Sequence, residues 1–424
     1  MASTPDRQDV AAAVLLATLA LGLYSYRAKE PPPAANENPL TAAVDLLTAR
    51  GGRDDAGRFL PVFVRVWPEL WLPPVPAYAT MAVAAVGRAE QPGRQTAALF
   101  GALGIVLTYV FAADLFRRRA LGWIAALLLL SNPAYVASAR SGALDGVWVI
   151  PPLLVCLVAL AKFAGTGSHR WLAVAAAALA ACAFAQPSGA LLAAIVGAAA
   201  VIGLRRARPL SVRDVKPAAI GAAAAAVPIV LWFVVHPTSY ADTYGRWFLH
   251  AAYIRNPWSL VIRMTNWFSL AEWASIYWNF FDPTRLLYSA AGPASAGTFL
   301  MALGVFLGAA AYDLARPQPP RTREESALLS IVAIGFIASP LVPASFAEPG
   351  AIQKALSLTL FGTILCTLGV RALWTRESTW ARAAAVVLLG LTLVQFVAFY
   401  RALSHGPNRG AEPPGIENSR QRGR

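Results

Sequence analysis

The sequence predicts an all-α integral membrane protein with about eleven transmembrane helices. Hydrophobic residues make up 57% of the 424 residues, charged residues only 14%, and the mean hydropathy is +0.52, which is far from an ordinary soluble domain. Apolar runs of about 20 residues, the length that a helix needs to cross the hydrocarbon core, recur between Asp9 and Arg401. Arg and Lys fill the short gaps between these runs, as is typical of cytoplasmic loops.

The predicted membrane helices follow one another along residues 1–403, which we interpret as one polytopic domain. They lie near 10–27, 95–116, 119–138, 143–163, 171–186, 188–204, 217–236, 294–315, 326–343, 351–372 and 380–402. The first run has no small-residue cleavage site, so we expect it to be retained as a helix rather than removed as a signal peptide. Residues 73–87 are too short to span comfortably and predict a re-entrant or interfacial helix.

The positive charges indicate the orientation of the helices. With 73–87 left out of the count, all five basic clusters fall on the same side, which the positive-inside rule makes cytoplasmic. The clusters are Arg117, Arg118 and Arg119; Lys162 and Arg170; Arg205, Arg206, Arg208, Arg213 and Lys216; Arg316, Arg321 and Arg323; and Arg371, Arg376 and Arg382. Two long outer loops follow, at 28–94 and 237–293, and residues 404–424 predict a disordered tail.

The charge pattern and the other reactive side chains exclude several classes of protein. The net charge of +14 is spread over loops between spans, which does not indicate nucleic-acid binding. Cys156, Cys182 and Cys366 all fall in apolar runs, so we expect buried thiols and no disulfide framework. His236 and His250 lack the spacing of a zinc site. The chain has no Gly-rich phosphate loop, and nucleotide-driven transport is therefore not supported.

The first outer loop holds the densest group of carboxylates, namely Glu37, Asp45, Asp54, Asp55 and Glu69. A carboxylate beside a membrane surface is suited to act as a general base toward an acceptor hydroxyl or amine. The same oxygens are ligands for a divalent cation. A solvated acidic turn is the structural alternative, because Asp-Asp-Ala-Gly is favourable turn chemistry.

Several segments resemble, in order, one known family. They are LLTARGGRDDAGRFLPVF and PPVPAY in the first outer loop, AALFGALGIVLTYVFAADLF with the following RRR, AALLLLSNPAYVASARSGALD, YWNFFDPTRLLYS, and SPLVPASFAEPGAIQKALSLTLFGTILCTLGV. The family is that of the bacterial membrane glycosyltransferases similar to dolichyl-phosphate-mannose protein mannosyltransferases, which is glycosyltransferase family 39 of the GT-C superfamily. The resemblance covers most of residues 35–372. It implies a GT-C-like fold whose outer loops carry interfacial helices.

The resemblance implies sugar transfer from a polyprenyl-phosphate carrier on the extracytoplasmic side, with an acidic pair of the first loop supplying the base. Counted back from LLTARGGRDD, that pair falls on Asn36 and Glu37. Asn cannot accept a proton, so the usual base is replaced here. The candidates for the catalytic base are, in order, Asp55, Asp54 and Glu37, and loss of activity is the remaining alternative.

Arg140, Asp145 and Lys354 are the candidates for substrate binding, because the resemblance implies charged residues near the lipid-linked donor at these positions. Arg140 is the one basic residue in its short outer turn, and a charge at a membrane boundary indicates function, although pairing with Asp145 is a structural alternative. Lys354 lies at an outer helix start, where an ammonium suits a phosphate. Its alternative is snorkelling at the interface.

Two functions from different classes remain. The first is an inverting glycosyltransferase of the inner (plasma) membrane, with a polyprenyl-phosphate-linked sugar and membrane lipid as its partners and no resident cofactor apart from the divalent cation considered above. The second is an inactive homologue that serves as an accessory subunit of a membrane complex with protein partners. In that subunit we expect Lys354 and Arg140 to meet carboxylates such as Asp145 or Glu348. A transporter or lipid flippase is disfavoured, because few charges fall within the helices.

Overall fold

The computed structural model describes residues 6–27, 38–67, 70–86, 91–207, 211–236, 266–287, 297–316, 321–345, 352 and 354–405. Its helices are α1 (Arg7–Ser25), α2 (Asn38–Ala49), α3 (Pro74–Val86), α4 (Pro92–Phe116), α5 (Arg119–Leu130), α6 (Pro133–Ala139), α7 (Ile150–Thr166), α8 (His169–Ala185), α9 (Gly189–Ala207), α10 (Val212–Val235), α11 (Trp267–Asn279), α12 (Pro283–Leu286), α13 (Met301–Ala315), α14 (Arg323–Ala338), α15 (Leu341–Ser345), α16 (Leu356–Trp374) and α17 (Thr379–His405). Two short strands, β1 (Val64–Trp67) and β2 (Leu70–Leu72), pair antiparallel.

The predicted fold class is confirmed: the chain is an all-α integral membrane protein. Among the described residues, eight helices are long and apolar enough to cross a membrane, or up to nine if the bent pair α5 and α6 forms one span. Each predicted span contains a described helix, but α8 has 17 residues and α13 has 15, and both are shorter than a full crossing needs. The count of eleven therefore stays a prediction.

The predicted span 119–138 is not one helix. It is broken between α5 and α6, which meet at an angle of 68°. Pro133 has no N–H to continue the ladder of α5, and the side chain of Asn132 accepts a hydrogen bond of 3.0 Å from the N–H of Tyr135, which caps the new helix. The Asn132 Nδ2 also donates to the carbonyl of Thr298 at 3.0 Å. This asparagine therefore fixes the direction of α6.

Short helices lie in the described parts of the two predicted outer loops, and that these helices are interfacial stays a prediction. In the first loop, α2 and α3 flank the β1–β2 hairpin, and α3 packs against α2, α4 and α8. With 13 residues, α3 is shorter than a span, while its place relative to the membrane stays a prediction. In the described part of the second loop, α11 packs on α15 and exposes Trp267, Phe268 and Trp278, which suits the predicted interfacial belt.

The centre of the bundle is α16. Its residues from Leu356 to Val370 are all buried, and it packs against α13, α14 and α5. A Cβ added at Gly369 would lie 2.0 Å from the carbonyl oxygen of Phe306, so the backbones of α16 and α13 are in direct contact. Small residues permit this close approach between membrane helices.

Ion pairs join helix ends at one end of the bundle, which we call the basic end. They are Lys162 with Asp114 at 2.8 Å, Arg371 with Glu325 at 2.6 Å, and Arg119 with Asp6 and Asp9, both at 2.9 Å. These contacts bring together the ends of α4, α7 and α16 and the starts of α1, α5 and α14. Basic residues of three of the predicted cytoplasmic clusters thus share one end of the bundle.

The opposite end, which we call the loop end, carries the first outer loop. A Cβ added at Gly93, at the start of α4, would lie 3.5 Å from Leu40 of α2 and 3.6 Å from the Cα of Gly142. The start of α10 lies at the basic end, because Asp214 contacts His169 at the start of α8 at 3.1 Å. The last turn of α10 therefore reaches the loop end. Of the predicted tail, residues 406–424 lie outside the described residues.

Candidate functional site

Arg140 lies at the end of α6 and connects this helix to α1 and α17 at the loop end. Its Nη1 donates to the carbonyls of Leu23 and Tyr26, at 3.2 and 2.7 Å, and contacts the hydroxyl of Tyr400 at 3.1 Å. The carbonyls at a helix C-terminus have no partner within the helix and attract cations. Arg140 is buried and has a structural task at the end of α1. Its predicted task at a lipid phosphate stays a prediction.

Lys354 and Asp145 are brought together from distant parts of the sequence. The Nζ of Lys354 lies 3.9 Å from the Oδ2 of Asp145, and the two side chains are only 4% and 18% exposed. Lys354 comes just before α16, whose first N–H groups contribute positive partial charge. A buried ammonium next to a helix N-terminus is a favourable place for a phosphate. A buried cation is costly unless it is paired or serves a ligand.

The segment that carries Asp145 is held by polar groups that the sequence analysis missed. The N–H of Gly146 donates to the Oε1 of Gln186 at 3.4 Å, and the Nε2 of Gln186 donates to the Oγ of Ser188 at 2.7 Å. Gly146 has a φ of +144°, and a Cβ there would lie 2.4 Å from the Oγ of Ser138. The signal for Gln186 and Ser188 was present, since they are polar residues between two apolar runs.

Asp54 is fully occupied by Arg58. Its Oδ1 accepts from the backbone N–H of Arg58 at 2.9 Å, and its Oδ2 accepts from the Nε at 2.8 Å and lies 2.6 Å from the Nη2. The Asp54 side chain is 0% exposed. A general base must reach the proton that it abstracts. The arrangement therefore favours a structural role for Asp54 over its predicted role as a catalytic base.

Asp55 has the opposite environment. Its side chain is exposed and faces Arg50, whose Nη1 lies 3.7 Å from the Asp55 Oδ1. The same Nη1 donates to the carbonyl of Asp55 at 3.2 Å, which holds the backbone at this residue. Asp55 therefore presents an accessible carboxylate on a fixed backbone. Glu37, the third predicted base, lies outside the described residues, as do Asn36 and Glu69.

Tyr78 of α3 contacts the end of the same loop. Its hydroxyl donates to the carbonyl of Pro61 at 2.7 Å. Burial raises the pKa of the Tyr78 phenol, and the nearby Asp54 carboxylate raises that pKa further, because both disfavour a phenolate. The phenol thus remains a hydrogen-bond donor over the whole physiological pH range.

In the described part of the chain, no group of three or more His, Cys, Asp or Glu side chains is placed to hold a metal ion. Cys156, Cys182 and Cys366 are buried free thiols, as the sequence predicts.

Residues 72–232 match the family model "Dolichyl-phosphate-mannose-protein mannosyltransferase", and this range includes Arg140 and Asp145 but not Lys354, Asp54 or Asp55. No curated protein matches. Among solved structures, ArnT from Cupriavidus metallidurans is similar both bound to undecaprenyl phosphate (20% identity, TM-score 0.43, 94% of this chain and 77% of that chain) and in the apo state (19%, 0.43, 93% and 76%). Values this low mark a distant likeness, and no residue role rests on them.

The family match falls on the segment that runs from β2 to the last turn of α10. It includes the bent pair α5 and α6, which runs from the basic end to the loop end, and the segment that carries Asp145. From residue 72 to residue 232 the chain is thus similar to the dolichyl-phosphate-mannose-protein mannosyltransferases, and the resemblance to GT-C membrane glycosyltransferases found in the sequence is confirmed.

Proposed function

We propose that the chain is a membrane glycosyltransferase that takes a sugar from a polyprenyl-phosphate carrier and passes it to an acceptor at the loop end. The observation that carries the proposal is the buried Lys354 ammonium at the start of α16, beside Asp145. A departing lipid phosphate gains negative charge as its bond to the sugar breaks. Cationic groups fixed where that charge develops lower the barrier.

The reaction needs two chemical groups from the protein. In the first outer loop, the Asp55 carboxylate takes the proton of the acceptor hydroxyl, or Glu37 does so. The acceptor oxygen then attacks the anomeric carbon, the bond from that carbon to the phosphate oxygen breaks, and the configuration is inverted. Lys354 stabilises the polyprenyl phosphate that leaves. This division gives the general base to the loop and the anion site to the bundle.

The orientation of the protein belongs to the same proposal. The basic end carries Arg119, Lys162 and Arg371, and the positive-inside rule puts such an end in the cytoplasm. The loop end then faces the extracytoplasmic side of the inner (plasma) membrane. A polyprenyl-phosphate sugar in the outer leaflet would meet Lys354 from that side.

An accessory subunit remains the second candidate, because the Lys354–Asp145 contact is also the one expected of such a subunit. The two functions differ in what the protein does with the carrier. An enzyme must bind polyprenyl phosphate and release it from a polyprenyl-phosphate sugar, whereas a subunit that uses Lys354 only to hold Asp145 does neither.

The test uses the full chain, purified and reconstituted in lipid nanodiscs. A panel of undecaprenyl-phosphate sugars is added with and without candidate acceptors, and the undecaprenyl phosphate released is measured. We expect one donor to be turned over, with release strongly reduced in Asp55→Asn or Glu37→Gln. A protein that neither binds undecaprenyl phosphate nor turns over any donor of the panel contradicts the proposal and favours the accessory subunit.

A further inference from the structure

Hydrogen bonds within the loop from Arg50 to Pro61 hold its backbone together. The N–H of Asp54 donates to the carbonyl of Arg58 at 3.0 Å, and the N–H of Leu60 donates to the carbonyl of Gly52 at 2.9 Å. The Nη1 of Arg53 donates to the carbonyl of Gly57 at 3.0 Å. A loop with so many of its own polar groups joined moves as a unit rather than residue by residue. What fixes the unit to the bundle then decides where its side chains point.

Arg58 makes the connection from this loop to α10. Its guanidinium carbon lies 4.6 Å from the ring centroid of Trp71 and 5.2 Å from that of Trp232, which is in the last turn of α10. Both indoles are buried, and a cation held over aromatic faces is attracted most strongly when water is excluded. Asp54 binds the same guanidinium from within the loop. Arg58 is therefore held by the loop on one side and by two aromatic rings on the other.

The aromatic residues around Arg58 form a cluster of their own. Phe63, Trp71 and Trp232 make a hydrophobic core that is separate from the main core of the bundle. The rings of Phe63 and Phe233 are 5.3 Å apart and those of Trp71 and Trp232 are 5.8 Å apart, measured between centroids. Elsewhere α10 packs mainly against α8. This small core is consequently the place where the first outer loop is anchored to α10.

We propose that Arg58 is a positioning residue, which clamps the loop of residues 50–61 to the outer end of α10 and so fixes the exposed carboxylate of Asp55. The importance of that carboxylate rests on the proposed function, whereas the clamp itself rests only on the contacts of Arg58. A guanidinium is suited to this task because its planar fork binds a carboxylate at two points while its face stacks on aromatic rings. The ammonium of a lysine offers neither.

The clamp is tested by a distance measurement that needs no activity. Spin labels are attached at Ala56→Cys, in the loop, and Val235→Cys, on the exposed outer turn of α10, and the distance between them is measured by double electron–electron resonance. The three native cysteines are buried free thiols, so they give little background. We expect one narrow distribution in the parent and a broad one in Arg58→Met, with Arg58→Lys and Asp54→Asn in between.

Arg53→Met is the matched control for this measurement. Arg53 is the same residue type in the same loop, donates to the carbonyl of Gly57 and stacks on Phe59, and it is more exposed than Arg58. Its described contacts stay within the loop. It should keep the narrow distribution of the parent. A distribution that stays narrow in Arg58→Met, or one that broadens equally in both variants, overturns the clamp.

Turnover separates positioning from stability alone. With the donor that the parent uses, kcat of Arg58→Met should fall by roughly a hundredfold, as for a displacement of about 1 Å at a reacting group, while binding of undecaprenyl phosphate is unchanged. A broad distance distribution with unchanged kcat would show that the clamp does not position a catalytic residue, and would overturn the positioning role of Arg58. If the parent itself turns over no donor, the proposed function fails, and the distance measurement still decides on the clamp.

Discussion

The ammonium of Lys354 lies 3.9 Å from the carboxylate of Asp145, too far for a hydrogen bond and close enough for an ion pair. The two residues come from opposite halves of the sequence and meet beside the N-terminus of α16. An incoming phosphate would compete with Asp145 for the same cation. We therefore interpret the contact as the state of the site before the phosphate binds. It follows that removing the Asp145 carboxylate should strengthen phosphate binding rather than weaken it.

Replacing Asp145 should strengthen the binding of polyprenyl phosphate. In Asp145→Asn the competing charge is gone, and affinity for undecaprenyl phosphate should rise by roughly threefold or more, the size of a weak ion pair. Lys354→Ala should lower the affinity by about tenfold or more, as for the loss of a hydrogen bond to a charged group. Lys162→Ala, at the basic end, is the control. Weaker binding in Asp145→Asn would contradict the competition.

Asp55 should be the most sensitive of the described loop acids. Asp55→Asn is expected to reduce turnover of the donor by roughly a hundredfold or more, because it removes a general base. Asp45→Asn is the matched control, as it replaces an exposed carboxylate of α2 in the same outer loop. Steady-state release of undecaprenyl phosphate is the measurement. Full activity in Asp55→Asn would move the assignment to Glu37.

Arg140 should matter more for stability than for the lipid. Arg140→Met removes hydrogen bonds that join the ends of α1, α6 and α17, each worth about 1.5–3 kcal/mol for a charged donor, so the apparent Tm in detergent should fall by several degrees. Arg205→Met, an exposed residue of α9, should leave the Tm unchanged. Intact Tm with lost lipid binding would instead assign Arg140 to the phosphate.

A side chain at Gly369 should separate α13 from α16. Gly369→Val places atoms against the backbone of Phe306 and should cost about 1–3 kcal/mol as overpacking. Gly308→Val, on α13 itself, is the control, because a Cβ there has no other atom within 4 Å. Thermal unfolding of both variants in the same detergent gives the comparison. Equal Tm values would show that the helices are not in close contact at Gly369.

The orientation predicts which residues a membrane-impermeant thiol reagent can reach. In intact cells, a cysteine at Ala56 should react from outside, while a cysteine at Arg118 should react only after the membrane is opened. Both positions are exposed, so a difference reports the side of the membrane and not burial. Labelling of Arg118→Cys in intact cells would invert the proposed topology.

The helices were predictable because their signals are local. Each apolar run carries its own length and composition, and the break before α6 could have been read from Asn132 and Pro133, which together start a helix. The apolar run on both sides of these two residues nevertheless has the length and composition of a single span.

The site was only partly predictable, because its contacts join distant segments. Lys354 and Asp145 were both candidates, but their pairing depends on how α16 packs against the segment before α7. The occupation of Asp54 by Arg58 is local, yet it depends on a turn that is neither helix nor strand. Sequence alone placed Asp55 before Asp54 although both lie in the same segment, and their burial now separates them, since Asp54 is buried and Asp55 is exposed.

The ionic contacts of the bundle differ in how far they are exposed to water. At the basic end, Lys162 and Asp114 are 38% and 36% exposed and Arg119 and Asp6 are 46% and 55% exposed, whereas Arg371 and Glu325 are only 20% and 15% exposed. Ions in solution screen exposed pairs, with a Debye length of about 8 Å at physiological ionic strength and about 3 Å at 1 M. At the loop end, Arg140 and Asp54 are buried and beyond the reach of that screening. A concentrated electrolyte should therefore weaken the exposed pairs of the basic end and the exposed Arg50–Asp55 pair of the first outer loop, while the contacts of the buried Arg140 and Asp54 persist.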